Sequence, residues 1–155
     1  MRISFIKNGR LADFIAAVLI FLFVYTAINK LMDIDNFKVL ISESPILSQN
    51  AGLLSWFIPA AELVASLLLF LPFSREYGFL FSSILMAIFT LYVAYMLLFT
   101  PDLPCSCGGV IKQMSWTQHF IFNIIFFFQS IIGWRINRNL NKDFIAINRL
   151  SRIPV

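Results

Sequence analysis

The sequence predicts an all-α integral membrane protein: a four-helix bundle with a C-terminal amphipathic interfacial helix. Three observations carry this expectation. Hydrophobic residues make up 59% of the 155 positions while only 13% are charged, whereas a soluble domain is about one quarter charged. Mean hydropathy is +0.82. Four apolar stretches reach the length of about 20 residues that a hydrocarbon layer of about 30 Å requires.

Taken in order, these stretches run from Leu11 to Ile28, Gly52 to Leu71, Gly78 to Phe99 and Trp116 to Trp134, and the last two contain no Asp, Glu, Lys or Arg. Backbone groups in lipid have no water to bond, so apolar runs of this length form helices. Arg2, Lys7 and Arg10 before the first run imitate a signal peptide. The run is longer than a signal h-region, and Tyr25-Thr26-Ala27-Ile28-Asn29-Lys30 offers no small-x-small cleavage site, so a retained anchor is expected. No repeat, low-complexity tract or linker divides the chain, and residues 1–155 read as one transmembrane domain.

Lys and Arg placement sets the expected orientation. With the N-terminus inside, nine basic residues (Arg2, Lys7, Arg10, Arg75, Arg135, Arg138, Lys142, Arg149 and Arg152) lie on the inner side. Only Lys30, Lys38 and Lys112 lie outside. This positive-inside bias places both termini in the cytoplasm of a bacterium, with the chain in its inner membrane. The net charge of +4 is then a topology signal and an attraction to anionic lipid, and it argues against a nucleic-acid partner. In the tail, residues 135–155, Ile136, Leu140, Phe144, Ile147 and Leu150 recur at steps of four and three between basic residues. Such spacing describes a helix lying on the inner membrane face or, alternatively, one that binds a partner.

The chemistry is expected outside. The loop between helices three and four contains the only two cysteines, Cys105 and Cys107, which the topology puts in an oxidising compartment. Pro104 stiffens the approach to the pair and Gly108-Gly109 permits a tight turn after it. Ser115-Trp-Thr-Gln118 reads as a capping box that starts helix four. A helix N-terminus close by favours thiolate over thiol.

Three chemistries fit a Cys-x-Cys pair. A disulfide across one intervening residue closes a small ring, and the resulting strain suits exchange of oxidising equivalents. A passive bridge would remove little unfolded-chain entropy from so short a loop. Two thiolates with Met114 and His119 nearby would also suit Cu(I), the pattern of a copper-handling protein.

Polar residues cluster toward the same side. His119 and Asn123 are four apart on helix four, Tyr92 and Tyr95 sit near the outer end of helix three, and Lys30 closes helix one. Glu62 lies near the midplane of helix two, one turn after Pro59. A carboxyl at that depth is expensive unless it is protonated, paired or facing a cavity. Each residue also has a plainer reading: Tyr in an interfacial belt, Lys30 snorkelling to headgroups, His119 and Asn123 bonded in the packing. Their shared location nevertheless predicts a polar pocket beneath the cysteine loop.

These residues carry a family resemblance. Lys30-Leu31-x-Asp33-x-x-x-Phe37, Pro59-x-x-Glu62 and Cys105-x-Cys107-Gly108 before a helix bearing Asn123 resemble the MauE/DoxX family of redox-associated membrane proteins. The resemblance implies a four-helix membrane protein linked to thiol–disulfide chemistry outside the cytoplasm, with Cys105 and Cys107 as the redox pair. Lys30, Glu62 and Asn123 would support the pocket. For MauE it implies a role in maturing methylamine dehydrogenase, so a non-enzymatic assembly subunit is the alternative to an oxidoreductase. Many relatives carry an aromatic residue where this chain has Gly108, which leaves the pocket lid more open. The arrangement is also similar to quinone-coupled disulfide formers such as the DsbB and vitamin K epoxide reductase families. Those relay electrons through two cysteine pairs, and this chain has one. The expected function is therefore thiol–disulfide exchange with a periplasmic partner through Cys105 and Cys107. No cofactor is established by the sequence, and a quinone in a pocket of Tyr92, Tyr95, His119, Asn123, Glu62 and Lys30 is the candidate.

Overall fold

The computed structural model describes residues 2–99 and 115–150, with side chains described over 9–99 and 115–142, and these residues are helices joined by turns. Five α-helices follow in order: α1 (Arg2–Met32), α2 (Ile34–Ser42), α3 (Ala51–Phe70), α4 (Arg75–Phe99) and α5 (Trp116–Leu150), with one 3-10 turn at Ser48–Asn50. Four of them are long and apolar enough to cross a membrane: Gly9–Met32, Ser48–Phe70, Arg75–Phe99 and Trp116–Lys142. The four spanning helices close a ring in which α1 packs on α3 and α5, and α4 packs on α3 and α5. One end of the bundle, here called distal, therefore gathers the ends of α1 and α4 and the starts of α3 and α5.

The core explains the ring. Leu19 and Phe23 of α1, Ala65 and Leu69 of α3 and Phe79 of α4 are fully enclosed, and Ile15, Ala16, Ala61, Leu85 and Met86 complete the cluster. Outside it, large apolar side chains face away from the bundle at helical spacing: Ile84, Ile88 and Leu91 on α4, and Ile121, Ile125, Phe128 and Ile132 on α5. Water would penalise such stripes, whereas lipid tails solvate them at no cost. Several polar groups inside the bundle are satisfied within or between helices, while Ser44 Oγ, Ser82 Oγ and Asn137 Nδ2 are buried without a partner among the described residues. Ser66 Oγ donates to the Glu62 carbonyl at 3.0 Å, and the Ser83 and Ser130 hydroxyls pair across α4 and α5 at 2.9 Å.

Two glycines set the helix spacing. A Cβ on Gly78 would lie 2.7 Å from the backbone of Leu68 and Leu69, and one on Gly133 would lie 2.3 Å from the Phe79 ring. The Phe79 ring can rotate, but the α3 backbone cannot give way. Gly78→Ala is thus expected to force α3 and α4 apart and to lower the melting temperature in detergent more than Gly133→Ala does. Equal melting of Gly78→Ala and the parent chain would refute this close approach.

The α1, α3 and α4 boundaries extend the sequence expectation by one to nine residues at several ends. The spans are longer because helix continues into residues too polar for the hydrocarbon layer, such as Lys30 and Arg75. At the proximal end, Arg75 pairs with Asp13 and its Nε donates to the Leu69 carbonyl at 3.2 Å, which fixes the α3–α4 turn. Residues 135–150 of the tail are helical and continue α5 without a break, while residues 151–155 lie outside the described residues. Asn141 Nδ2 donates to Glu76 Oε2 at 3.2 Å, Arg138 Nε stands 4.0 Å from Glu76 Oε1, and the Arg138 guanidinium lies 5.1 Å from the Trp134 ring centre. These contacts tie residues 135–142 to the start of α4. The side chains of Phe144, Ile147 and Leu150 lie outside the described residues.

The short helix α2 was not expected. Phe37 and Ile41, four apart, are buried against Ala51, with Leu47, Leu54 and Ile58 packed beside them. This amphipathic turn lays α2 on the start of α3, at the distal end.

Candidate functional site

A cavity of about 300 Å³ opens in the distal half of the bundle. Each helix contributes to it at helical spacing, which is why one stripe from each suffices. On α1 these are Leu22, Thr26 and Lys30; on α3 Leu54, Phe57, Ile58, Ala61 and Glu62; on α4 Leu85, Ile88, Phe89 and Tyr92; and on α5 His119, Phe122 and Asn123. Phe37, Leu40 and Ile41 of α2 cover the distal side.

At its centre is an ion pair. Lys30 Nζ donates to Glu62 Oε1, with the Glu62 side chain only 2% exposed and that of Lys30 15% exposed. Lys30 lies at the last turn of α1, and its long stem carries the ammonium down to a carboxylate on the middle of α3. Two aromatic faces add to the stabilisation, with Nζ 5.7 Å from the Phe89 ring centre and 5.8 Å from that of Phe37. Each cation–π contact contributes about 0.5–2 kcal/mol. Pro59, inside α3, has no N–H for the carbonyl one turn before it, so the helix ladder is interrupted just ahead of Glu62.

Around the pair the hydrogen bonding is incomplete. Glu62 Oε2, His119 Nδ1 and Asn123 Nδ2 are buried and have no hydrogen-bond partner among the described residues. The Thr26 hydroxyl, on the same face of α1 as Lys30, is engaged with the Leu22 carbonyl at 3.0 Å and the Phe23 carbonyl at 3.2 Å. An unpaired buried polar group costs about 1–3 kcal/mol. Three such atoms on the wall of one cavity mark a site built to receive polar atoms from elsewhere.

The α5 end of the site is fixed by the capping box expected from sequence. The Ser115 backbone N–H donates to Gln118 Oε1 at 2.9 Å, and the Gln118 N–H donates to Ser115 Oγ at 3.3 Å. This sets the start of α5 and hence the direction in which His119 and Asn123 project.

Five of the pocket residues anticipated from sequence thus line one cavity: Lys30, Glu62, Tyr92, His119 and Asn123. Tyr95 does not. It lies three residues beyond Tyr92, which turns it toward the flank of α4, where it is 36% exposed and packs on Phe99 with ring centres 5.0 Å apart. Cys105 and Cys107, together with Pro104, Gly108, Gly109 and Met114, lie outside the described residues. Sequence reading missed Thr26, Phe89, Phe122 and the α2 residues as part of the wall. The signal for Thr26 was its i, i+4 relation to Lys30; the phenylalanines gave none, being ordinary apolar residues in apolar spans.

Comparison with curated proteins and with solved structures finds no significant match. The family model described as methylamine utilisation protein MauE matches residues 8–136, which takes in α1, α2, α3, α4 and the spanning part of α5 together with every cavity residue. Lys30, Pro59-x-x-Glu62 and Asn123 all fall inside the matched residues, and by this match the chain belongs to the MauE family.

Proposed function

We propose that the chain is a thiol–disulfide redox protein of the bacterial inner membrane, exchanging equivalents with a partner outside the cytoplasm through Cys105 and Cys107. The observation that carries this reading is the convergence of Lys30, Glu62, Tyr92, His119 and Asn123 at the distal end of the bundle. Residues 100–114, which contain the only two cysteines of the chain, connect the end of α4 to the start of α5, and both of those lie at this same end. The excess of Lys and Arg at the proximal end supports a distal end facing away from the cytoplasm.

The exchange runs through a mixed disulfide. A thiolate of the partner attacks one sulfur of the Cys105–Cys107 disulfide, forming an intermolecular S–S bond and releasing the other cysteine as thiolate. A second partner thiolate then displaces the bound cysteine. The partner leaves as a disulfide, and the pair has gained its two electrons; the reverse sequence reduces the partner. The family description associates the chain with methylamine utilisation, which supports seeking the partner among proteins of that process. A passive loop bridge would not call for a charged, incompletely bonded cavity next to it.

Orientation and redox state are tested together. In intact spheroplasts a membrane-impermeant maleimide should label Cys105 and Cys107 after mild reduction and leave them largely unlabelled before it. Labelling that requires an opened membrane would overturn the orientation. Thiols that stay free under oxidising growth would overturn a cycling pair.

A further inference from the structure

We propose that the cavity is a binding site for a lipid-soluble quinone, which enters from the membrane between α3 and α4 and sets its ring oxygens against Lys30, His119 and Asn123. This deepens the thiol–disulfide reading by naming the electron acceptor, and it rests on that reading only for the direction of electron flow.

The charge of the site selects a neutral head group. Among the described residues Lys30 and Glu62 are the only charged ones on the wall, and they neutralise one another. An anionic head would meet the Glu62 carboxylate, and a cationic one would have to displace Lys30 from it. Hydrogen bonding narrows the head further. The Asn123 Nδ2 amide is an obligate donor and suits a carbonyl oxygen, while Glu62 Oε2 is an acceptor that a carbonyl cannot serve but a hydroxyl can. His119 Nδ1 serves either, according to its tautomer. A group that presents carbonyls when oxidised accepts from Asn123 Nδ2, and once reduced its hydroxyls still accept from Asn123 and also donate to Glu62 Oε2.

The shape of the wall favours a ring. Phe37, Phe57, Phe89 and Phe122 surround the cavity, and most of its remaining lining is aliphatic. A volume of about 300 Å³ is at the lower end of small-molecule sites. It holds a substituted six-membered ring and leaves a long tail outside. Phe57 on α3 and Ile88 on α4 line the cavity and are also 63% and 55% exposed on the bundle surface. They form a mouth that opens sideways into lipid, the phase in which such a molecule dissolves.

The reaction balances. Two thiols at Cys105 and Cys107 lose two electrons and two protons as their S–S bond forms, and the quinone takes up both electrons and both protons to become the quinol. The pair is then ready to oxidise its protein partner.

The test uses the purified full chain in detergent, titrated with a decyl-substituted benzoquinone and followed by quenching of intrinsic tryptophan fluorescence. Saturable binding is expected. Asn123→Leu, which removes one hydrogen-bond donor, should weaken it about tenfold. Ala61→Leu, which fills the cavity without touching a polar group, should weaken it at least as much. Both variants are first shown to melt within a few degrees of the parent. Absence of saturable binding to the folded parent would overturn the proposal, as would unchanged affinity in both folded variants. Displacement of the probe by palmitate at equal concentration would assign the cavity to an anionic lipid and overturn it as well. Oxidation of the thiols by the quinone is read separately. Saturable binding without thiol oxidation keeps the quinone site and removes the redox pair, whereas exchange with a protein partner by a chain that binds no quinone does the reverse.

Discussion

Replacing Glu62 by leucine should lower the melting temperature in detergent by roughly 10 °C, as the loss of one member of a buried ion pair costs about 3–5 kcal/mol. The cost arises because Lys30 would be left as a lone ammonium among Phe37, Phe89 and aliphatic side chains. Lys30→Met should cost a similar amount by stranding the carboxylate, which is the more enclosed partner. The double variant, with neither charge, should regain most of the stability, since two apolar groups of similar volume replace a pair whose desolvation is itself unfavourable. Additive losses in the double variant would show that the two groups do not depend on one another. Glu62→Gln separates stability from function: its amide oxygen still accepts from Lys30 while the charge is gone. It should lose clearly less stability than Glu62→Leu, because Lys30 keeps a hydrogen-bond partner, and it should lose thiol exchange. Full exchange in Glu62→Gln would reduce the pair to a structural bond.

The second large effect concerns the cysteines. Cys107→Ser should accumulate a covalent complex with the protein partner, visible as a reducible higher-mass species on non-reducing gels. Cys105 is the sulfur expected to join the partner, because Pro104 directly precedes it in sequence, while Cys107 lies closer in sequence to the start of α5. In Cys107→Ser the remaining Cys105 thiolate attacks the disulfide of an oxidised partner, the reverse direction of exchange, and without Cys107 to displace it the mixed disulfide persists. Cys105→Ser should trap no such species, and both variants should lose exchange. The reverse asymmetry would exchange the two roles while keeping the mechanism. A passive bridge would trap nothing in either variant and leave activity intact, and a copper site would lose metal in both without a covalent partner.

Much of the architecture was legible before any coordinates, because lipid imposes few solutions. Apolar runs of spanning length force helices, and successive spans must cross the membrane in opposite directions, so an antiparallel bundle follows from hydropathy. The start of α5 was equally readable, since Ser115 and Gln118 satisfy each other's backbone N–H groups locally, without help from the rest of the chain. Helix α2 was not, because nine residues with two buried apolar positions carry too weak a period to stand out from a loop. Its helix is stabilised by packing on Ala51, Leu54 and Ile58, contacts that come from another element.

The site divides in the same way. The sequence by itself determined that Glu62 would sit deep in an apolar span and therefore need a partner, and that His119 and Asn123 would share a face. Only the tertiary structure decided that the partner is Lys30, thirty-two positions away on another helix, and that Tyr92 faces the cavity while Tyr95 faces outward. The physical reason is that helical periodicity fixes which residues of one helix share a face, but not which way that face turns. The rotation of each helix is set by the packing of its neighbours, here by the close approach at Gly78 and by the ring of core contacts around Phe23, Leu69 and Phe79.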